Sequence, residues 1–277
     1  MRSRLSLALA ACAALFLAGC GGGASAPAPQ TKTVASTQRA PAPTPQVRTT
    51  PSRAAVPILM YHVIAAAKPG TQLPQLWVPA PDFAEQMQAL DDAGYEAVTL
   101  TTVLEAWRGR AVLPKHPIVV SFDDGYLSQG QEAADTLRKH RWPGVLNLVL
   151  HSLGTEGGLS ATRIKLMLKD GWELGAHSLT HPDLTTLDAV ALRREVEGSR
   201  TLLRRKFGVD VNTFCYPAGK YNATVAQAVR DAGYRAATTV EPGAARPGDD
   251  RFALPRVRVN AGDSAAAVVA AVKSAAG

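Results

Sequence analysis

The stretch Pro117-Ile118-Val119-Val120-Ser121-Phe122-Asp123-Asp124-Gly125 decides the reading of this chain. Its first six residues form a short apolar run rich in β-branched side chains, the signature of a buried strand. Two adjacent carboxylates then stand at the strand's C-terminal end. Neighbouring residues of a regular strand point to opposite faces, so both carboxylates serve one site only if the backbone leaves the pleat there. Gly125 supplies the freedom to do so. One Asp can then hold a metal while the other handles a proton, although Asp-Asp-Gly in isolation is often a plain turn.

Working outward, apolar β-rich runs recur at 56–62, 97–100, 144–150, 173–177, 213–216, 236–240 and 253–259. Helical patterns fall between them, near 81–92, 101–108, 128–141, 160–169, 188–207 and 222–231, with another near 263–275. This alternation predicts repeated βα units of the α/β class and not a sandwich. In the 188–207 helix, Ala189, Leu192, Val196, Leu203 and Phe207 lie at helical spacing, and Arg193, Arg194, Glu195, Glu197 and Arg200 read as its solvated face. Asp92-Ala93-Gly94-Tyr95 and Asp231-Ala232-Gly233-Tyr234 echo one another, with Lys169-Asp170-Gly171-Trp172 a looser third. Each reads as a helix end closed by a left-handed Gly. A βα barrel gathers the loops after its strands at one end, where chemistry is expected.

A second cluster, His177-Ser178-Leu179-Thr180-His181-Pro182, follows the run 173–177. Two imidazoles four residues apart can converge on one ion, and Pro182 disfavours a continuing helix. Asp124, His177 and His181 would supply three ligands and leave a position for water, as a hydrolytic metal site requires. Such a donor set favours Zn²⁺, with other divalent transition ions possible.

On these residues the chain resembles the polysaccharide deacetylases of the NodB-homology type, carbohydrate esterase family four. Ser121-Phe122-Asp123-Asp124-Gly125 resembles that family's first motif, and the His-Ser-x-x-His-Pro motif is complete at 177–182; the likeness spans residues 56–259. It implies a distorted (β/α) barrel, a divalent metal on Asp124, His177 and His181, and Asp123 as general base. Two departures stand out. In Phe214-Cys215-Tyr216-Pro217-Ala218-Gly219, Cys215 occupies the place of an Arg that orients the base, and Ala218 that of a Tyr whose backbone N–H binds the oxyanion. The late motif carrying the acid His is absent. Ile58-Leu59-Met60-Tyr61-His62, Trp77-Val78-Pro79 and Leu254-Pro255-Arg256-Val257 resemble the permuted poly-N-acetylglucosamine deacetylase branch, in which the acid comes first. That likeness makes His62 the general acid, expected opposite Asp123 with the metal between them; the family's third motif makes the Ala218 N–H an oxyanion donor, a contact that needs no side chain.

The resemblance implies N-deacetylation of a GlcNAc-containing polysaccharide, with poly-β-1,6-GlcNAc of biofilms the expected polymer. Peptidoglycan or chitin oligomers, and an inactive glycan-binding lipoprotein, are the rivals. Other residues take blander readings: His140 near a helix C-terminus, His116 in a loop, His151 near the cleft, Cys215 as a packed thiol.

The N-terminus reads as an export signal. Arg2 and Arg4 precede an apolar stretch, 5–18, too short to favour a membrane span, and Leu17-Ala18-Gly19-Cys20 looks like a lipobox. The expected organisation is a lipoprotein signal peptide at 1–19, a lipidated Cys20 with a disordered Pro/Ala/Thr-rich linker at 20–53, and a catalytic domain at 54–277. The protein is then extracytoplasmic and membrane-anchored, in the outer membrane facing the periplasm if the cell is Gram-negative. The net charge of +7 over 277 residues invites a nucleic-acid reading. Residues 1–53 carry six of the basic residues and no acidic one, leaving 24 basic against 23 acidic in the domain. A nucleic-acid partner is therefore not expected.

Overall fold

The computed structural model describes residues 49–277. The signal peptide at 1–19, Cys20 and the linker as far as residue 48 lie outside the described residues. Seven parallel strands close a ring: β1 (Val56–Tyr61), β3 (Pro117–Asp124), β4 (Val145–Leu148), β5 (Glu173–Ala176), β6 (Thr213–Cys215), β7 (Ala236–Pro242) and β9 (Leu254–Arg258), with β9 returning to β1. Closure comes from β1 pairing with β3 on one side and β9 on the other. The two-residue β2 (Glu96–Ala97) lies beside the start of β3, and β8 (Ala244–Ala245) runs antiparallel to β1. A register shift between Thr238 and Pro242 distorts the β7–β9 seam.

Around the ring stand α1 (Ala80–Asp92), α3 (Ala134–His140), α4 (Ala161–Lys169), α5 (Ala189–Phe207), α6 (Ala223–Asp231) and α7 (Ala265–Ala276). Capping explains several boundaries: the Asp188 side chain accepts from Ala191 N–H at 2.8 Å to start α5, and Gly208 at φ 70° ends it. The three echoed helix ends behave as their sequences predict. Gly94, Gly171 and Gly233 all have positive φ, and the aromatics that follow, Tyr95, Trp172 and Tyr234, are buried.

The seventh helix, α2 (Leu100–Ala106), closes the bottom of the barrel. Its Leu100, Val103 and Leu104 cluster with Val56, Ile58, Val119, Val145, Ala236 and Leu254, inward residues from the strand starts. A separate cluster, including Leu59, Tyr61, Val120, Phe122 and Leu146, joins the outer faces of the strands to the surrounding helices. Alternation along β1 and β3 thus sorts residues between an inner and an outer core.

Two sequence boundaries need correction. The strand expected at 97–100 stops at Ala97, because Thr99 caps α2, its hydroxyl accepting from Thr102 N–H at 3.1 Å. Residues 49–53, expected as linker, are bound to the domain: Thr49 N–H donates to Gly109 O and Ser52 N–H to Ala106 O, both at 2.9 Å. Ala106 is the last residue of α2 and Gly109 lies three residues beyond it; the Ala106 carbonyl, which also accepts from Gly109 N–H at 3.0 Å, takes the strap as a second donor.

Candidate active site

The site is built on the C-terminal ends of β1, β3, β5, β6 and β9, where an inner layer of polar side chains replaces the apolar layer below. The peptide chain leaves the pleat as required. Asp124 itself adopts φ 79° and Gly125 φ 96°, and a Cβ on Gly125 would collide with the Leu148 side chain. Of the six described non-glycine residues with positive φ, four lie here: Asp124, Ser178, His181 and Ala218. Backbone strain concentrated at one end of a barrel marks a place where side-chain direction matters more than local comfort.

Asp124 Oδ1 lies 3.6 Å from His177 Nε2 and 3.7 Å from His181 Nε2. In a tetrahedral site with ligand bonds near 2 Å, donor atoms stand about 3.3 Å apart, so these three can share one ion after a small contraction. Exposure is graded: the His177 side chain is 3% exposed, Asp124 22% and His181 38%, which leaves the outer side of the triangle open to the cleft. His177 Nδ1 faces the Cys215 carbonyl at 2.7 Å, which orients the ring so that Nε2 faces Asp124. Asp123, His177 and Cys215 also cluster. The Arg256 guanidinium, however, sits against both Asp123 and Cys215, and its fixed charge keeps a cation out of that lower position.

Asp123 is 2% exposed and fully engaged. Arg256 donates from both terminal nitrogens, at 2.9 Å to Oδ1 and 2.8 Å to Oδ2, and Asn147 Nδ2 donates to Oδ1 at 2.8 Å. Burial alone would raise this carboxyl. The positive charge of Arg256 outweighs it, with His177 and His62 adding to the effect, and holds Asp123 well below the usual carboxylate range. Arg256 and Asn147 were not identified as site residues from the sequence. Arg256 comes from β9, and it occupies the space that the small Cys215 leaves, its guanidinium 3.3 Å from Sγ. Cys215 is itself buried and free, a packed thiol.

His62 stands beside Asp123, Nε2 to Oδ2 3.8 Å, and not across the ion from it as expected. Register explains this. β1 pairs directly with β3, Tyr61 opposite Phe122, so the next residues, His62 and Asp123, emerge side by side. Gln129 ties the two together, its amide donating to the carbonyls of both His62 (2.8 Å) and Asp123 (2.5 Å). It lies in a π-helical turn, Gln129–Ala133, that precedes α3. Burial lowers the His62 imidazole, against the opposing pull of Asp123, so the ring is held toward its neutral form.

These groups face a cleft of about 970 Å³ whose walls include Leu76, Trp77, Tyr126, Leu127, Ala218 and Arg258. Burial, then the neighbouring Asp124 carboxylate, push the Tyr126 phenol up to about 12. Ala218 is exposed in a tight turn at φ 52°. His151, expected near the cleft, does not line it. His140 ends α3, as its sequence reading places it, with its Nδ1 3.0 Å from Asp91 Oδ2.

A barrel whose mouth carries an Asp-His-His triangle beside a buried Asp defines a metal-dependent hydrolase in its architecture and donor set. Comparison with known proteins gives the family. Residues 110–237 match the family described as Polysaccharide deacetylase. YxkH of Bacillus subtilis, named as a candidate polysaccharide deacetylase, is 30% identical over 225 residues, 81% of this chain and 78% of that protein. The chain belongs to the polysaccharide deacetylase family and is a hydrolase acting on amide bonds of polysaccharides. The fold agrees with that of the Streptococcus pyogenes deacetylase PplD, solved in complex with acetate, with a TM-score of 0.74 at 24% identity over 80% of this chain and 99% of that one. A short segment of 61 residues, 22% of this chain and 9% of the relative, is 38% identical to poly-beta-1,6-N-acetyl-D-glucosamine N-deacetylase of Escherichia coli (strain K12).

Proposed function

We propose that this deacetylase removes N-acetyl groups from poly-β-1,6-GlcNAc outside the cytoplasm, using a metal held by Asp124, His177 and His181. The observation that carries the reading is the pairing of that triangle with Asp123 and His62 at the floor of one open cleft. The short likeness to the E. coli enzyme supports the polymer. Zn²⁺ suits two imidazoles and one carboxylate, and when bound it supplies the positive charge that polarises an acyl carbonyl and acidifies a water.

The chain's own groups then divide the proton work. Asp123 takes a proton from water as its oxygen attacks the acetyl carbon. Arg256 holds this carboxylate in its charged form, ready to accept the proton. The Ala218 N–H donates to the developing oxyanion. His62, neutral and with Nε2 3.8 Å from Asp123 Oδ2, receives that proton and delivers it to the amide nitrogen as the C–N bond breaks. Acetate and a free amino sugar leave. Acid and base act as neighbours on one side of the site.

The test incubates the purified protein with poly-β-1,6-GlcNAc, peptidoglycan and chitin oligomers, with and without chelator, and measures acetate. Chelator-sensitive release from the first polymer supports the reading, release from peptidoglycan alone redirects it, and no release from any polymer favours an inactive glycan-binding protein. His62→Ala is expected to keep its metal and lose kcat by about 10²–10⁴-fold, the usual range for general acid–base catalysis; an unchanged kcat removes His62 from the mechanism.

The proposed location rests on sequence. The stretch 5–18 and Leu17-Ala18-Gly19-Cys20 support export and lipidation at Cys20, with Gly21 favouring the outer membrane in a Gram-negative host. Labelled fatty acid should appear on the wild-type protein and vanish in Cys20→Ser.

A further inference from the structure

Glu195 sits in the charged run of α5 that the sequence assigns to solvent, yet it is only 8% exposed. Its Oε2 accepts from Leu179 N–H at 2.9 Å and Thr180 N–H at 3.0 Å, and its Oε1 accepts from the Thr180 hydroxyl at 2.9 Å. All three donors belong to the loop between His177 and His181. A buried carboxylate loses its hydration, and hydrogen bonds to the charged form must replace it. Here the loop supplies every one of them, so carboxylate and loop fix each other.

The loop needs such a support. It turns through left-handed backbone at Ser178 (φ 64°) and at His181 (φ 60°), conformations that L-residues avoid. These two turns swing His181 back toward His177, bringing the ring centroids to 4.7 Å. Ser178 Oγ accepts from His181 N–H at 2.9 Å, which closes the second turn from within. Leu179, between the two turns, is buried against Gly198, one turn along α5 from Glu195, where a Cβ would stand 3.4 Å from its side chain. The helix therefore grips the loop twice.

We infer that Glu195 is the positioning residue of the metal site: it presets the spacing of His177 and His181 before any ion arrives. The inference rests on the reading of Asp124, His177 and His181 as metal ligands. Residues behind a ligand set commonly govern affinity by fixing ligand orientation. What Glu195 adds is a hold on the backbone between two ligands, so its loss frees both at once.

The test titrates the purified full-length chain, stripped of metal, with Zn²⁺, and follows thermal unfolding of the metal-free form beside it. Glu195→Ala should raise the Zn²⁺ Kd by about 10–100-fold. Glu195→Gln should recover to within about threefold of wild type, since its remaining oxygen can accept from both N–H groups and its amide can donate to the Thr180 hydroxyl. Thr180→Val, on an exposed residue, tests the hydroxyl contact without touching the core and should weaken binding by about two- to fivefold. Leu192→Ala, a cavity in the same helix, should lower the melting temperature and leave the Kd within about threefold. Wild-type affinity in both Glu195→Ala and Thr180→Val, or an affinity loss in Leu192→Ala matching that of Glu195→Ala, overturns the inference. A wild-type chain that binds no Zn²⁺ instead overturns the ligand assignment on which it stands.

Discussion

The bottom and the mouth of this barrel are made by the same strands and differ completely in chemistry. At the bottom, Ile58, Val119, Val145 and Leu254 point inward and are sealed by α2. Two residues up β9 from Leu254 stands Arg256, and four residues up β3 from Val119 stands Asp123, both buried and both charged. A strand here is therefore a stability element at its start and a chemical element at its end. The interior of the upper barrel is reserved for this: a Cβ on Gly175 would press on Asn147 Oδ1 at 2.6 Å and Thr213 Oγ1 at 2.9 Å. The missing side chain leaves room for the polar layer that steadies Asp123.

The sharpest way to separate the two ends is to remove a proposed ligand at the mouth. Asp124→Ala should abolish metal binding and lower acetate release by about 10³-fold or more, the equivalent of several kcal/mol of lost charge stabilisation. The metal-free protein should still melt close to wild type. Metal analysis and acetate release, read together, check this, and full metal occupancy in the variant would break the comparison.

Arg256→Met probes the layer between. It leaves Asp123 buried without its cation, a change that typically costs about 3–5 kcal/mol. Urea unfolding should register that loss, and the Asp123 carboxyl, no longer held down by the guanidinium, should move upward. Both stability and turnover fall in this variant, which distinguishes the middle layer from either end.

Leu254→Ala, at the bottom, should cost about 2–4 kcal/mol through the cavity it opens. The Zn²⁺ affinity and the kcat of the folded fraction should match wild type. A changed metal affinity here would mean that the bottom layer sets the geometry of the mouth, and the division drawn between them would fail.

Much of this was legible in the chain. Strand–helix alternation gave the repeated βα units, because burial imposes a period of two on strands and about 3.6 on helices, and the barrel came with the family resemblance. Asp123-Asp124-Gly125 and His177 through Pro182 gave the candidate metal site because its donors are crowded into short segments. The placement of His62 was half legible: its presence at a strand end was visible, but its side depended on β1 pairing directly with β3.

What the sequence by itself determined is the alternation of strands and helices and the residues whose meaning is local: the Gly-closed helix ends and the clustered candidate ligands. Only the tertiary structure decided the rest. Arg256 lies 133 residues from Asp123, and nothing near it in sequence tells whether its charge points into the barrel or out to water. Glu195 sits among charged neighbours on a helix, and its burial exists only because the 177–181 loop descends onto that face. Residues 49–53 look like more linker until the Ala106 and Gly109 carbonyls, at and just beyond the end of α2, give them partners. In each case the deciding quantity is the desolvation of a polar group. That quantity depends on which distant segment covers the group, and so it is set by closure of the barrel and not by any local pattern.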